Sequence, residues 1–270
     1  MLASWLSHPR TRGVELDDPR TTTLRREIIF DKRFLNQIYR EWYESVAASL
    51  PPGDGLICEL GSGAGFLADV IPRLVTSEIF YCPGIKVVLD GCRLPFKNAA
   101  LRAIVMTDVF HHLPESDRFL HEAARCVRTG GRLIMVEPWV SSWSRLIYQR
   151  LHHEPFLPDA AEWRFPRTGP LSGANGALPW IVFERDRARF EREFPEWTIV
   201  SIELLMPFRY LLSGGVSLRS FAPGWTFGFF RGLERALNHW MDRLAMFARI
   251  VLQRTSQPAS LRSLESMSRA

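Results

Sequence analysis

Glu59, Gly61, Ser62, Gly63, Gly65 and Phe66 fall in one run, Glu59-Leu60-Gly61-Ser62-Gly63-Ala64-Gly65-Phe66. Closely spaced glycines let the chain bend sharply and let a ligand approach bare backbone, because no Cβ intervenes. A dinucleotide-binding turn asks for G-x-G-x-x-G, and Phe66 stands where its last glycine would be. An acid just before the first glycine would repel a pyrophosphate and attract an ammonium group. Further along, Glu78 can accept both hydroxyls of a ribose as charge-assisted hydrogen bonds. Asp90, in Val88-Leu89-Asp90-Gly91-Cys92-Arg93-Leu94-Pro95-Phe96, can accept from an adenine amino group while its apolar neighbours flank the ring.

Other polar groups follow at positions that end strands. A histidine of near-neutral pKa at His111 or His112 can deprotonate an acceptor hydroxyl. Glu137 and Trp139 are expected to contact the acceptor. His152 and His153, beside Glu154 in an aromatic stretch, are read as lining the acceptor pocket. Adjacent histidines do not share a helix face as i, i+4 pairs do, so they are not read as metal ligands. Cys58, Cys82, Cys92 and Cys126 contain no CxxC pair, and the histidines complete no zinc spacing around them. No metal is expected, and a reducing compartment fits.

The elements that would hold these groups alternate. Asp31 can cap a helix to about Leu50, with Phe34, Ile38, Trp42 and Val46 as its apolar stripe. Apolar segments at 56–60, before Glu78, at 86–90, at 103–107 and at 133–136 read as buried strands. A helix is expected over 66–74, and another from Ser116 or Asp117 that Gly130-Gly131 ends. Further elements are a helix over 186–194, a strand over 197–206, a helical stripe of Leu233, Leu237, Trp240, Leu244 and Phe247, and a last strand over 248–252. Short buried strands alternating with helices imply an α/β fold with a doubly wound, mostly parallel sheet. The expected division is an N-terminal arm over 1–30, a core over 31–138, an aromatic-rich cap with the remaining strands over 139–254, and a disordered tail over 255–270.

With ELGSGAGF at 59–66, D-x-x-x-LPF at 90–96, VMTDVFHHLP at 105–114 and EAARCVRTGGRLIMVEPW at 122–139, the chain resembles the class I S-adenosylmethionine (SAM) dependent methyltransferases. The nearest subgroup is the small-molecule and quinone-type enzymes, and the resemblance covers about 33–138. It implies a Rossmann-like fold with SAM as cofactor: the methionine moiety at Glu59 and the glycines, the ribose at Glu78, the adenine at Asp90 with Gly91. Asp108 to His111 would face the cofactor or acceptor. Two departures stand out. Only Ile79 to Ile85 separate Glu78 from Lys86, where parallel neighbours normally need a longer crossover, and Thr129 replaces a proline before the Gly-Gly pair. A binding-only SAM sensor or inactive partner subunit is the alternative reading. A nicotinamide oxidoreductase is opposed by Glu59 and Phe66.

The net charge of +5 lies in no Lys/Arg run interleaved with aromatics, so nucleic acid is not an expected partner. The expected partner is a small, apolar or ring-bearing acceptor. The cluster Gly224 to Arg231 is read as a candidate for peripheral contact with a membrane. No apolar window reaches the length of a membrane span, and a cytoplasmic location is expected. Oligomeric state is not read from the sequence.

Overall fold

The computed structural model describes residues 8–11, 14, 17–151, 154–166, 168–169 and 173–256. His152, His153 and nearly all of the expected tail lie outside them. The strands are β1 Leu56–Leu60, β2 Val75–Glu78, β3 Val87–Val88, β4 Leu101–Thr107, β5 Val127–Pro138, β6 Trp197–Leu205 and β7 Phe247–Arg254. They form one sheet in the order β3-β2-β1-β4-β5-β7-β6. The first five run parallel, and β7 is antiparallel to both β5 and β6. Cys58, Ile104, Val105, Ile134 and Met135 are fully buried, so the central strands are apolar on both faces and need cover on both.

Helices supply that cover. Helix α1 is Pro19–Asp31 and α2 is Arg33–Ala48. Asp18 caps α1 by accepting from the Arg20 amide at 2.9 Å, and a proline at the first turn costs no hydrogen bond. Phe34, Ile38, Trp42 and Val46 of α2 are buried along the expected stripe. At the joint between the two helices, Lys32 Nζ donates to the carbonyls of Ser213 (3.2 Å) and Gly215 (2.7 Å), and to that of Leu218. Helix α3, Ser116–Cys126, packs Phe119, Leu120 and Ala123 against the sheet.

The C-terminal half adds α4 Ser142–Leu151, α5 Arg187–Glu193, α6 Arg209–Ser213 and α7 Phe227–Ala236. A buried ionic knot ties α2, α6 and α7 together. The Arg209 guanidinium reaches Glu234 at 2.5 Å and both Glu41 oxygens at 2.8 Å. Glu234 also accepts from the amides of Phe208 (3.0 Å) and Arg209 (2.8 Å), the free donors at the start of α6.

Several expectations change. The N-terminal arm contains a full helix. The helix expected over 66–74 shrinks to one short turn, Leu67–Asp69. Gly130-Gly131 lie inside β5, because α3 already ends at Cys126. The stripe expected from Leu233 to Phe247 breaks into α7, two short turns and β7, with Leu233 and Trp240 exposed. The short link after Glu78 is real. β2 and β3 pair in parallel without a crossover helix, locked by Lys86 N to Thr76 O (3.0 Å), Leu89 N to Glu78 O (2.9 Å) and Lys86 Nζ to Leu74 O (2.6 Å).

Candidate functional site

The glycine turn leaves β1 at the C-terminal edge of the sheet, where open α/β sheets bind ligands. Gly61 is left-handed at φ +64°, and a Cβ there would collide with the Val109 methyls. A Cβ on Gly63 would stand 2.7 Å from Glu78 Oε1 and 3.2 Å from the Thr22 methyl. A Cβ on Gly65 would strike the Tyr43 hydroxyl. The bend is thus hemmed by side chains from α1, α2, β2 and the segment after β4. Arg26 of α1 also donates to the Gly65 carbonyl.

Two carboxylates converge on this bend. Glu59 is 3% exposed, and burial first, with Glu78 nearby, pushes its pKa up to about 7 against the opposing Ser62 hydrogen bond and Arg26 charge. Glu78 is also buried, and burial raises its pKa although the amides of Ile79 and Gly63 hydrogen-bond to it. Two acids held from water beside bare backbone make a place where positive charge is welcome. That charge demand, beside a bend that turns on the left-handed Gly61, fits SAM, which carries an ammonium and a sulfonium.

The other expected cofactor residues behave differently. Ser62 Oγ accepts from Ser77 N at 3.0 Å and donates to Glu59 O at 3.4 Å, which fastens the bend to β2. Phe66 does not face the bend: its ring packs against Phe30, Tyr39 and Tyr43, with the Arg40 guanidinium over its face. Asp90 Oδ1 accepts from Cys92 N at 2.8 Å, closing the turn through Gly91.

At the end of β4, Asp108 sits at φ +62°, an uncommon left-handed setting for a residue with a side chain, pinned by Asp108 N to Val136 O at 2.8 Å. Asp108 lines a small cavity of about 20 Å³ with Tyr148, Glu154, Phe156, Tyr210 and Phe247. Although 38% of this side chain is accessible, the space it faces is walled by protein, and burial pushes its pKa up to about 6.

His111 is 1% exposed, with Nδ1 2.8 Å from Glu137 Oε2. Burial opposes its charge, but the hydrogen bond to Glu137 and the nearby Glu154 and Asp108 carboxylates overcome it and raise its pKa well above 6.5. His112 is the opposite case: burial and the adjacent His111 charge lower its pKa to about 4. Its Nδ1 lies 3.0 Å from the Gly173 carbonyl, which can only accept, so the proton sits on Nδ1 and Nε2 keeps its lone pair.

Glu137 is fully buried and cannot reach an acceptor. One oxygen accepts from the amides of Val109 (2.9 Å) and Phe110 (2.8 Å), and the other binds His111. Trp139 is packed in the hydrophobic core and does not line the cavity. Sequence reasoning missed Thr22, Arg26 and Tyr43 at the bend, and Tyr148 and Tyr210 at the cavity. The hydroxyl of Tyr43, on an otherwise apolar stripe, was the one available signal.

Comparisons with known proteins agree with this architecture. Residues 77–135 match the family model described as a methyltransferase domain. No curated protein matches the sequence. Among solved structures, one similar chain comes from the Haloferax volcanii complex between the Trm112 methyltransferase activator and a methyltransferase. It is 12% identical, covers 90% of this chain and 99% of that chain, and has a TM-score of 0.52. Geranyl diphosphate methyltransferase in complex with SAM is 14% identical over 82% of this chain and 87% of that one, at 0.48. Geranyl diphosphate C-methyltransferase from Streptomyces coelicolor A3(2) is 13% identical over 82% and 81%, at 0.47. At these identities the likeness is one of fold. The family match runs from the end of β2 into β5, and the seven-stranded, mostly parallel sheet is the Rossmann-like fold of the similar methyltransferase structure at TM-score 0.52.

Proposed function

We propose that this protein binds SAM at the glycine bend and transfers its methyl group to a small apolar or ring-bearing acceptor in the cavity beside Asp108. The observation that carries the reading is the pair of buried carboxylates, Glu59 and Glu78, converging on a glycine bend whose backbone lies against neighbouring side chains. Glu59 takes the ammonium, Glu78 the ribose hydroxyls, and Asp90 the adenine amino group. When bound, SAM supplies an already activated methyl group, so the chain's own task is to align the two centres and keep water out.

The lining of the cavity suits such an acceptor, whose entry would have to widen the roughly 20 Å³ now open there. Phe156 and Phe247 give apolar walls, Tyr148 and Tyr210 give ring faces, and Asp108 gives an acid. Glu154 adds a second acid to the lining, and Glu137 hydrogen-bonds to His111 nearby. No helix among the described residues is long and apolar enough to cross a membrane.

Isothermal titration of the full chain with S-adenosylhomocysteine tests the binding claim. Micromolar one-to-one binding that falls at least about tenfold in Asp90→Ala is expected, and absence of heat with both SAM and its product would overturn it. Labelled methyl transfer to any acceptor separates an enzyme from a binding-only sensor.

A further inference from the structure

We propose that His111, His112 and Glu154 form a site for a nitrogen-preferring divalent transition ion such as Zn²⁺ or Fe²⁺, and that the acceptor reaches this ion through an oxygen. The acceptor clause rests on the methyl-transfer reading; the ion site does not.

The three side chains each offer one ligand atom, and these atoms lie within 4.8 Å of one another. His111 Nε2 is 3.5 Å from Glu154 Oε2, and His112 Nε2 is 4.0 Å from Glu154 Oε1. An ion held tetrahedrally at roughly 2.1 Å from each ligand needs ligand atoms about 3.4 Å apart. The His111–Glu154 pair is already at that spacing, and the widest separation in the trio, up to 4.8 Å, has to close by as much as about 1.4 Å through side-chain rotation. Asp108 Oδ1, 3.9 Å from His111 Nε2, is placed as a further donor.

The surroundings prepare both imidazoles as ligands. Metal-binding histidines characteristically give their other ring nitrogen to a carboxylate or carbonyl, which fixes tautomer and orientation. Here Glu137 occupies Nδ1 of His111, and the Gly173 carbonyl occupies Nδ1 of His112. His111 Nε2 is buried without a hydrogen-bond partner, aimed at this group. A polar nitrogen sealed from water and left unpaired is costly unless something fills the gap. Two histidines and one carboxylate are the facial set that binds a transition ion and leaves positions open. Asp108 and Glu154 both line the cavity, so the open side faces the place assigned to the acceptor. An acceptor hydroxyl ligated there would lose its proton to solvent more readily. Its oxygen pair would form the new O–C bond, and the S–C pair would remain on sulfur.

Chelator-treated full-length protein titrated with Co²⁺ tests the site. One equivalent should produce visible d–d bands of a nitrogen-ligated ion, erased by stoichiometric Zn²⁺ and untouched by excess Mg²⁺. Glu154→Gln, which keeps side-chain size, and His112→Ala should each abolish the bands, with circular dichroism confirming the fold. Glu137→Gln should weaken Co²⁺ about 10- to 100-fold without removing a ligand. Parallel titration with S-adenosylhomocysteine keeps the two claims apart. Binding of S-adenosylhomocysteine with no Co²⁺ bands overturns the ion site alone, and bands without that binding overturn the methyltransferase reading alone. Bands unchanged in both Glu154→Gln and His112→Ala, or displaced by Mg²⁺, also overturn the site.

Discussion

Gly63 lies so near Glu78 that an added Cβ would stand 2.7 Å from the carboxylate oxygen Oε1. The obstructing atom is the far end of a flexible side chain, so Gly63→Ala should fold normally while pushing that carboxylate aside. A displaced Glu78 loses its proposed grip on the ribose. Affinity for S-adenosylhomocysteine is expected to fall at least about tenfold, about 1.4 kcal/mol, read by calorimetry. Unchanged affinity would remove Glu78 from the site.

Glu59 sets the pH dependence. Its folded pKa of about 7 lies above its ordinary value of 4.5, so between these values the folded state holds a proton that the unfolded state does not. Stability of the ligand-free protein should therefore decline as pH rises through about 4.5 to 7. Binding of a cationic ligand wants the ionised carboxylate, so SAM affinity should rise from pH 6 to pH 8. Glu59→Gln should flatten both profiles; profiles that keep their slopes would assign the titration to another group.

Glu137 has three backbone and ring donors and no exposure. A glutamine of the same shape offers one acceptor oxygen and turns an N–H₂ toward donors. Glu137→Gln is expected to cost about 1–3 kcal/mol in urea denaturation, the range for a buried polar group left unsatisfied. A loss below about 0.5 kcal/mol would show that the loop from Val109 to His112 is held by something else.

Arg209→Ala would strand Glu234, whose side chain is 4% exposed, without its partner. Removing one member of a buried ion pair costs about 3–5 kcal/mol. The melting temperature should drop by roughly ten degrees, since each kcal/mol is worth about 2–4 °C at this size. A shift under two degrees would mean that the contacts among α2, α6 and α7 do not depend on this knot.

Trp225 and Phe229 are 82% and 71% exposed, beside Arg231 and Arg235. Aromatic rings with nearby arginines suit a headgroup boundary. The full chain is expected to co-sediment with anionic vesicles at low salt, and Trp225→Ser with Phe229→Ser to stay in the supernatant while still binding S-adenosylhomocysteine. Wild-type protein that also stays in the supernatant would end the membrane reading.

Strands were easy to read because parallel strands buried on both faces are nearly continuous apolar runs. Their spatial order was not, since no local signal says that β7 enters between β5 and β6. Helix α1 escaped notice for a physical reason. Its buried positions are Thr21, Thr22, Ile28 and Ile29, which make no periodic apolar stripe, and its arginines suggest a solvated segment. At the site, Glu59 and Glu78 were legible from their places after strands, and the structure brings both to the bend. Glu137 was misread because strand-end position says nothing about depth: the carboxylate points inward, where backbone amides and an imidazole await it. Phe66 was misread because the glycine run draws attention to the loop, whereas the ring's partners, Tyr39 and Tyr43, lie in a distant helix.

The place of β7 bears on how the chain is made. Val251 and Leu252 pair with Ile134 and Leu133 on one side and with Ser201 and Ile199 on the other. During synthesis β5 and β6 emerge long before the strand that must separate them, and until it arrives each shows an unpaired edge of backbone. Such waiting edges are where nascent chains stick to one another. Translation therefore leaves the half-made sheet open at its middle, and quality-control machinery would meet this protein there first.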